Sequence, residues 1–118
     1  MFNNPPTMSP QEIADALARR EIVLVDVREP GEYAAERIHG ALLYPLSTFD
    51  AALLPNDEKR PLVLHCGSGK RSATAFSACA DAGVAVRAHM RGGIGAWKAA
   101  GLPIVSIDPA SGAVRDRR

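Results

Sequence analysis

Two short runs, IVLVDV at residues 22–27 and PLVLHC at 61–66, are apolar at odd and even positions alike, apart from Asp26 and His65. Successive side chains of a strand point to opposite faces, so such a run must be covered on both sides. Sheets buried in this way are parallel and are joined by helical crossovers. The intervening segments fit that demand. Ser9-Pro10-Gln11-Glu12 carries a helix start, with Ser9 as cap, Pro10 in the first turn and Glu12 closing a capping box. Ile13 and Leu17 then share one helical face.

The rest of the chain reads as further short elements. Glu29-Pro30-Gly31-Glu32 opens a second helix expected to run to about Ile38-His39-Gly40. ALLYP at 41–45 is a short apolar run, and Leu46 to Leu54 holds a helical candidate capped by Ser47 and closed by Pro55. A charged turn is expected from Asn56 to Arg60, and a small-residue helix from Arg71 to Ala82, stopped by Gly83. Residues 84–90 read as a strand, 93–100 as a helix and 102–107 as a last extended piece. The fold class is therefore α/β, a parallel sheet with helices on both faces. Residues 1–8 are expected as an arm or short strand, 9–107 as one domain, and 108–118 as a mobile tail without core-forming residues.

Composition narrows the function classes. With 118 residues the chain can close one core without a disulfide or metal. Fourteen basic and thirteen acidic residues leave a net charge of +1, which gives no overall pull toward nucleic acid or an acidic membrane. Cys66 and Cys79 do not form a disulfide framework, and no Cys or His pair has metal-ligand spacing. No apolar run approaches the ~20 residues that span a bilayer. The N-terminus MFNNPPTMSPQ lacks a basic n-region and an apolar stretch. A cytoplasmic protein without cofactor, metal, nucleic-acid or membrane partner is the expectation.

The chemistry concentrates in LHCGSGKRSATAF, where a buried strand runs through Cys66 into Gly67, Ser68, Gly69, Lys70 and Arg71 and then into a helix starting near Ser72. A cysteine placed there faces backbone N–H groups and the positive end of a helix dipole. Gly67 and Gly69 permit positive φ, so the loop can curl its amides inward as an anion nest. Lowering a thiol pKa by about two units needs roughly 2.7 kcal/mol. A helix terminus supplies up to ~2 kcal/mol and one charge-assisted hydrogen bond ~1.5–3 kcal/mol. The loop is sufficient without a histidine base. Lys70 and Arg71 oppose the dipole unless an anion sits there.

Together with LVDVREPGEY, RIHGALLYPL and MRGGIGAWKAAGLPI, this loop resembles the single-domain rhodaneses, a sulfurtransferase family, from about Met8 to Ile107. The resemblance implies a parallel five-stranded sheet and a catalytic cysteine, Cys66, that becomes a persulfide. It makes Gly67, Ser68, Gly69, Lys70, Arg71 and Ser72 the substrate-binding loop around that sulfur. Asp26, Arg28 and Glu32 match the family's strand-end residues that brace the site. The implied partners are a small sulfur donor such as thiosulfate and an acceptor, which is cyanide, a thiol or a sulfur-acceptor protein.

Four residues separate Cys66 from Arg71, the spacing associated with sulfur transfer in this family, whereas related phosphatases and arsenate reductases carry five. A shorter ring fits one added sulfur atom, and a longer one fits a tetrahedral oxyanion. An oxyanion enzyme and a docking or relay module without catalysis are the rival readings. Cys79, His65 and Trp97 are expected to pack in the core, and His89 to lie at a strand end on the surface. A structural hydrogen bond to loop amides is the expected role of Asp26. His39 occupies a variable position and receives no role.

Overall fold

A computed structural model describes residues 4–55 and 59–116. Part of the expected turn at 56–60 therefore lies outside the described residues, as do the ends of the arm and tail. In chain order the elements are β1 (Thr7–Met8), α1 (Pro10–Ala18), β2 (Val23–Asp26), α2 (Pro30–Ala35), β3 (Glu36–Arg37) and β4 (Leu42–Leu43). Two 3-10 turns follow, Leu46–Thr48 and Ala51–Leu53. Then come β5 (Leu62–His65), α3 (Lys70–Asp81), β6 (Ala88–Met90), α4 (Gly93–Ala99), β7 (Val105–Ile107) and β8 (Val114–Asp116).

Five strands form the parallel sheet, in the order β1-β6-β5-β2-β4. Its centre pairs Leu24 with Val63 and Val25 with Leu64. Leu24 and Val63 face one core with Ile13, Ile38, Met90, Ile94 and Trp97. Val25 and Leu64 face the other, with Ala75, Phe76 and Cys79. Two buried faces explain why both parities of β2 and β5 are apolar. Each fully buried Leu, Ile or Val contributes roughly 1.5–3 kcal/mol.

The start of α1 follows the sequence expectation. Glu12 N–H donates to Ser9 Oγ at 3.1 Å and Ser9 N–H to Glu12 Oε1 at 2.9 Å, closing the capping box. Elsewhere tertiary pairing overrides local pattern. α2 stops at Ala35 because Glu36 and Arg37 extend as β3 and pair antiparallel with β7. The single helix expected at 46–54 is two 3-10 turns, the first preceded by Pro45 and the second capped by the Asp50 carboxylate.

β6 begins only at Ala88, although 84–90 read as a strand. Val84 N–H instead donates to Cys79 O at 2.9 Å and Gly83 N–H to Ala80 O at 3.1 Å, closing α3 around Gly83 in the left-handed region. At the N-terminal side Thr7 and Met8 join the sheet edge beside β6. At the C-terminal side, where a mobile tail was expected, β8 pairs antiparallel with β7 to complete a three-stranded sheet, β3-β7-β8. All three β8 residues are exposed, consistent with their lack of core-forming character.

Candidate active site

Parallel strands deliver their carboxyl ends to one side of a sheet, and ligand sites lie there. β5 ends at His65, so Cys66 is the first residue beyond the sheet and Lys70 begins α3 four residues later. The turn is made possible by Gly69, which takes φ +102 as the residue preceding α3. Gly67 has a different reason to be glycine. It does not adopt positive φ, but a Cβ there would lie 3.0 Å from Arg71 Nη2. The two loop glycines thus serve turning and close approach respectively, where the sequence suggested turning for both.

The loop closes on the Cys66 sulfur. Gly69 N–H donates to Cys66 Sγ at 3.1 Å, and Ser72 Oγ lies 3.5 Å from the same sulfur. Burial pushes the Cys66 thiol up, because the side chain is 0% exposed. Hydrogen bonds from the Ser72 hydroxyl and from the amides of Ser72, Gly69 and Ser68 outweigh that penalty and bring it below its ordinary value. The sulfur is enclosed, with the Gly69 amide donating to it and the Ser72 oxygen beside it. Cys79, on the same helix and also fully buried, has no such donors, and burial alone drives its thiol up to about 11. It packs in the core as expected.

The cations divide the work. Arg71 forms a two-pronged ion pair with Glu32 of α2, Nη1 to Oε1 at 2.6 Å and Nη2 to Oε2 at 2.9 Å. Those hydrogen bonds hold the Glu32 carboxyl at about 2. The anion that offsets the Arg71 charge at the start of α3 is therefore a side chain of the protein itself. Lys70, next to it, is exposed. Glu32 Oε1 also accepts from Glu29 N–H at 3.1 Å, tying α2 to the loop.

Asp26 and Arg28 form a second, internal anchor. Asp26 is 0% exposed and Arg28 3%. The carboxylate accepts from the Arg28 amide at 2.9 Å and from Arg28 Nε and Nη2 at 2.9–3.1 Å, and Arg28 Nη2 also donates to Glu36 O at 2.7 Å. The amide it binds belongs to the turn after β2, not to the 67–72 loop. His65 packs beneath, with Nδ1 3.4 Å from Cys66 O and with Nε2, 3.5 Å from Asp26 Oδ2, left without a hydrogen-bond partner. Burial holds the imidazole below its ordinary pKa, so the ring is neutral and the contact is not an ion pair.

His89 departs from expectation. It is 6% exposed, not a surface residue, and its Nδ1 lies 2.8 Å from Ser72 Oγ. β6 runs between β1 and β5, and His89 N–H is taken by Pro6 O at 3.0 Å, which holds the residue inside the sheet. It pairs with Leu64 of β5 on one side and Thr7 of β1 on the other, and no local pattern announces the edge pairing with β1. The start of α4 was likewise absent from the sequence reading of the site. Ile94 N–H donates to Cys66 O at 2.8 Å and Gly95 N–H to Gly67 O at 3.1 Å. These bonds hold the loop carbonyls outward and leave the amides for the sulfur.

Comparison with known proteins agrees with this geometry. The Rhodanese-like domain family model matches residues 9–100. An uncharacterised Synechocystis protein is 40% identical over 88% of this chain and 58% of its own length. A protein named sulfurtransferase from Allochromatium vinosum is 35% identical over 81% of this chain and 87% of its own. The solved structure of a thiosulfate sulfurtransferase from Pseudomonas aeruginosa superposes with a TM-score of 0.70 at 32% identity, over 85% of this chain and 19% of that one. The chain spans somewhat over half of the Synechocystis relative and about a fifth of the Pseudomonas structure. Residues 9–100 thus fold and align as a rhodanese-like domain, and the chain belongs to that sulfurtransferase family.

Proposed function

We propose that the protein transfers sulfane sulfur through a persulfide on Cys66. The observation that carries this reading is the enclosure of one sulfur atom by the Gly69 amide and the Ser72 hydroxyl, with the thiol held below its ordinary pKa. A thiolate is the nucleophilic form. In the first step Cys66 Sγ attacks the outer sulfur of a donor such as thiosulfate, the donor's S–S bond breaks, and sulfite departs with the bonding pair. The product is Cys66–S–S⁻, whose charge sits among the loop amides. In the second step cyanide, a thiol or an acceptor protein's thiolate attacks the outer sulfur, and the Cys66 thiolate is restored. No electron source is required, since each step exchanges one bond to divalent sulfur for another.

The short loop supports sulfur over an oxyanion as its guest. Gly69 N–H already lies at 3.1 Å from Sγ, which suits a single added atom. Lys70, exposed at the start of α3, is the free-standing cation for an anionic donor, while Arg71 is engaged by Glu32 and holds the loop's outer wall. Steady-state turnover of thiosulfate with cyanide tests the reading. Thiocyanate should form with the native chain and fall to background with Cys66→Ser. Equal turnover by the two proteins would remove Cys66 from the mechanism.

A further inference from the structure

Ser72 Oγ stands within reach of three groups: His89 Nδ1 at 2.8 Å, Gly69 O at 3.4 Å and Cys66 Sγ at 3.5 Å. A hydroxyl has one proton to donate and two lone pairs to receive with. The Gly69 carbonyl only accepts, and an ionised Cys66 only accepts. Which way the Ser72 proton points is therefore decided by the third neighbour, the imidazole.

Two neutral forms of His89 give opposite results. With Nδ1 bare, it is the nearest acceptor and takes the Ser72 proton. The oxygen then presents lone pairs to Cys66, an arrangement that favours the S–H form. With the proton on Nδ1, His89 donates to Ser72 Oγ, and the hydroxyl proton is released toward the charged sulfur, the strongest acceptor in reach. Burial holds His89 below its ordinary pKa, which keeps the ring neutral and makes the choice one of tautomer rather than charge. Ser72 is 0% exposed, so no water substitutes for either partner at low cost.

We propose that His89 is a positioning residue for Cys66, donating from Nδ1–H to Ser72 Oγ and so turning the Ser72 hydroxyl onto the cysteine sulfur. This rests on Cys66 working as a thiolate. It extends the site to a strand on the far side of α3's first turn and gives a buried histidine a task in nucleophile activation without contact with the donor. The same hydrogen bond serves the persulfide, whose inner sulfur occupies the Sγ position.

Two measurements on the full chain test it. Nitrogen-15 NMR of the histidine rings, at a pH above the Cys66 midpoint, should find His89 as the Nδ1–H tautomer. The Nε2–H tautomer with Nδ1 unprotonated would overturn the proposal. The second measurement is the pH profile of Cys66 alkylation by iodoacetamide, read by peptide mass. Losing one charge-assisted hydrogen bond should raise the midpoint by about one unit in Ser72→Ala, with about tenfold slower alkylation below it. His89→Asn, which keeps an N–H donor near the Nδ1 position, should hold the native midpoint. An unchanged midpoint in Ser72→Ala, or a raised one in His89→Asn, would overturn the proposal. If either variant fails to fold, the tautomer of the unaltered protein decides. Neither readout uses a sulfur donor, so failure to take up sulfur would count against sulfur transfer and not against this role of His89.

Discussion

Gly93 lies directly against Gly67: a Cβ at position 93 would come within 2.5 Å of the Gly67 carbonyl carbon and oxygen and of Cys66 O. The N-terminus of α4 is pressed onto the backbone of the candidate catalytic loop, and the hydrogen bonds of Ile94 and Gly95 to the Cys66 and Gly67 carbonyls depend on that closeness. The orientation of the loop amides toward sulfur is thus fixed from outside by a separate helix.

Gly93→Ala should accordingly disturb the site more than its size suggests. The residue sits at φ +62, where a non-glycine residue costs roughly 1–2 kcal/mol. The overlap with loop backbone adds to that cost, because backbone cannot step aside as a flexible side chain can. A loss of about 2–4 kcal/mol in urea unfolding is expected, accompanied by slower sulfur uptake even where the variant remains folded. Native-like unfolding and uptake would show that α4 does not clamp the loop.

Asp26→Ala should be among the most destabilising single changes. Arg28 is 3% exposed and would keep its charge with its carboxylate partner gone. Breaking a buried pair from one side costs about 3–5 kcal/mol, a large share of the stability of a small domain. Asp26→Asn keeps an acceptor for the Arg28 amide and should cost less. Chemical denaturation of the two variants checks this. A loss under ~1 kcal/mol in Asp26→Ala would mean that Arg28 reaches water.

The Glu32–Arg71 pair predicts a weaker effect with a defined pH dependence. Both side chains are more than a third exposed, so solvent screening limits the pair to about 0.5–1 kcal/mol. Because the Glu32 carboxyl is held at about 2 in the folded protein, its contribution is present above the unfolded value near 4.5. It is lost as pH falls from there toward 2. The stability difference between native protein and Glu32→Gln should be constant near neutrality and shrink over that acidic window. A difference that grows on acidification would contradict the pairing.

What the amino-acid order made legible was whatever is encoded by neighbours in sequence. The two-faced strands at 22–27 and 61–66, the Ser9 capping box and the strand–loop–helix around Cys66 each follow from residues a few positions apart. The contacts that complete the site do not. Glu32 and Arg71 are separated by 39 residues and meet only because α2 and the loop share one end of the sheet. His89 pairs on one side with the edge strand that contains Thr7, and Gly93 is glycine because of backbone at 66 and 67. In β3 and β8 the strand state comes from partners across a second sheet, so propensity within 36–37 or 114–116 carries little signal.

The most direct test of the loop's purpose is the intact mass of the purified, reduced chain after incubation with thiosulfate and removal of excess donor. One added sulfur atom per chain, mapped to Cys66, released by cyanide and missing from Cys66→Ser, is the predicted result. A mass unchanged under conditions in which Cys66 is readily alkylated would contradict sulfur transfer through this residue.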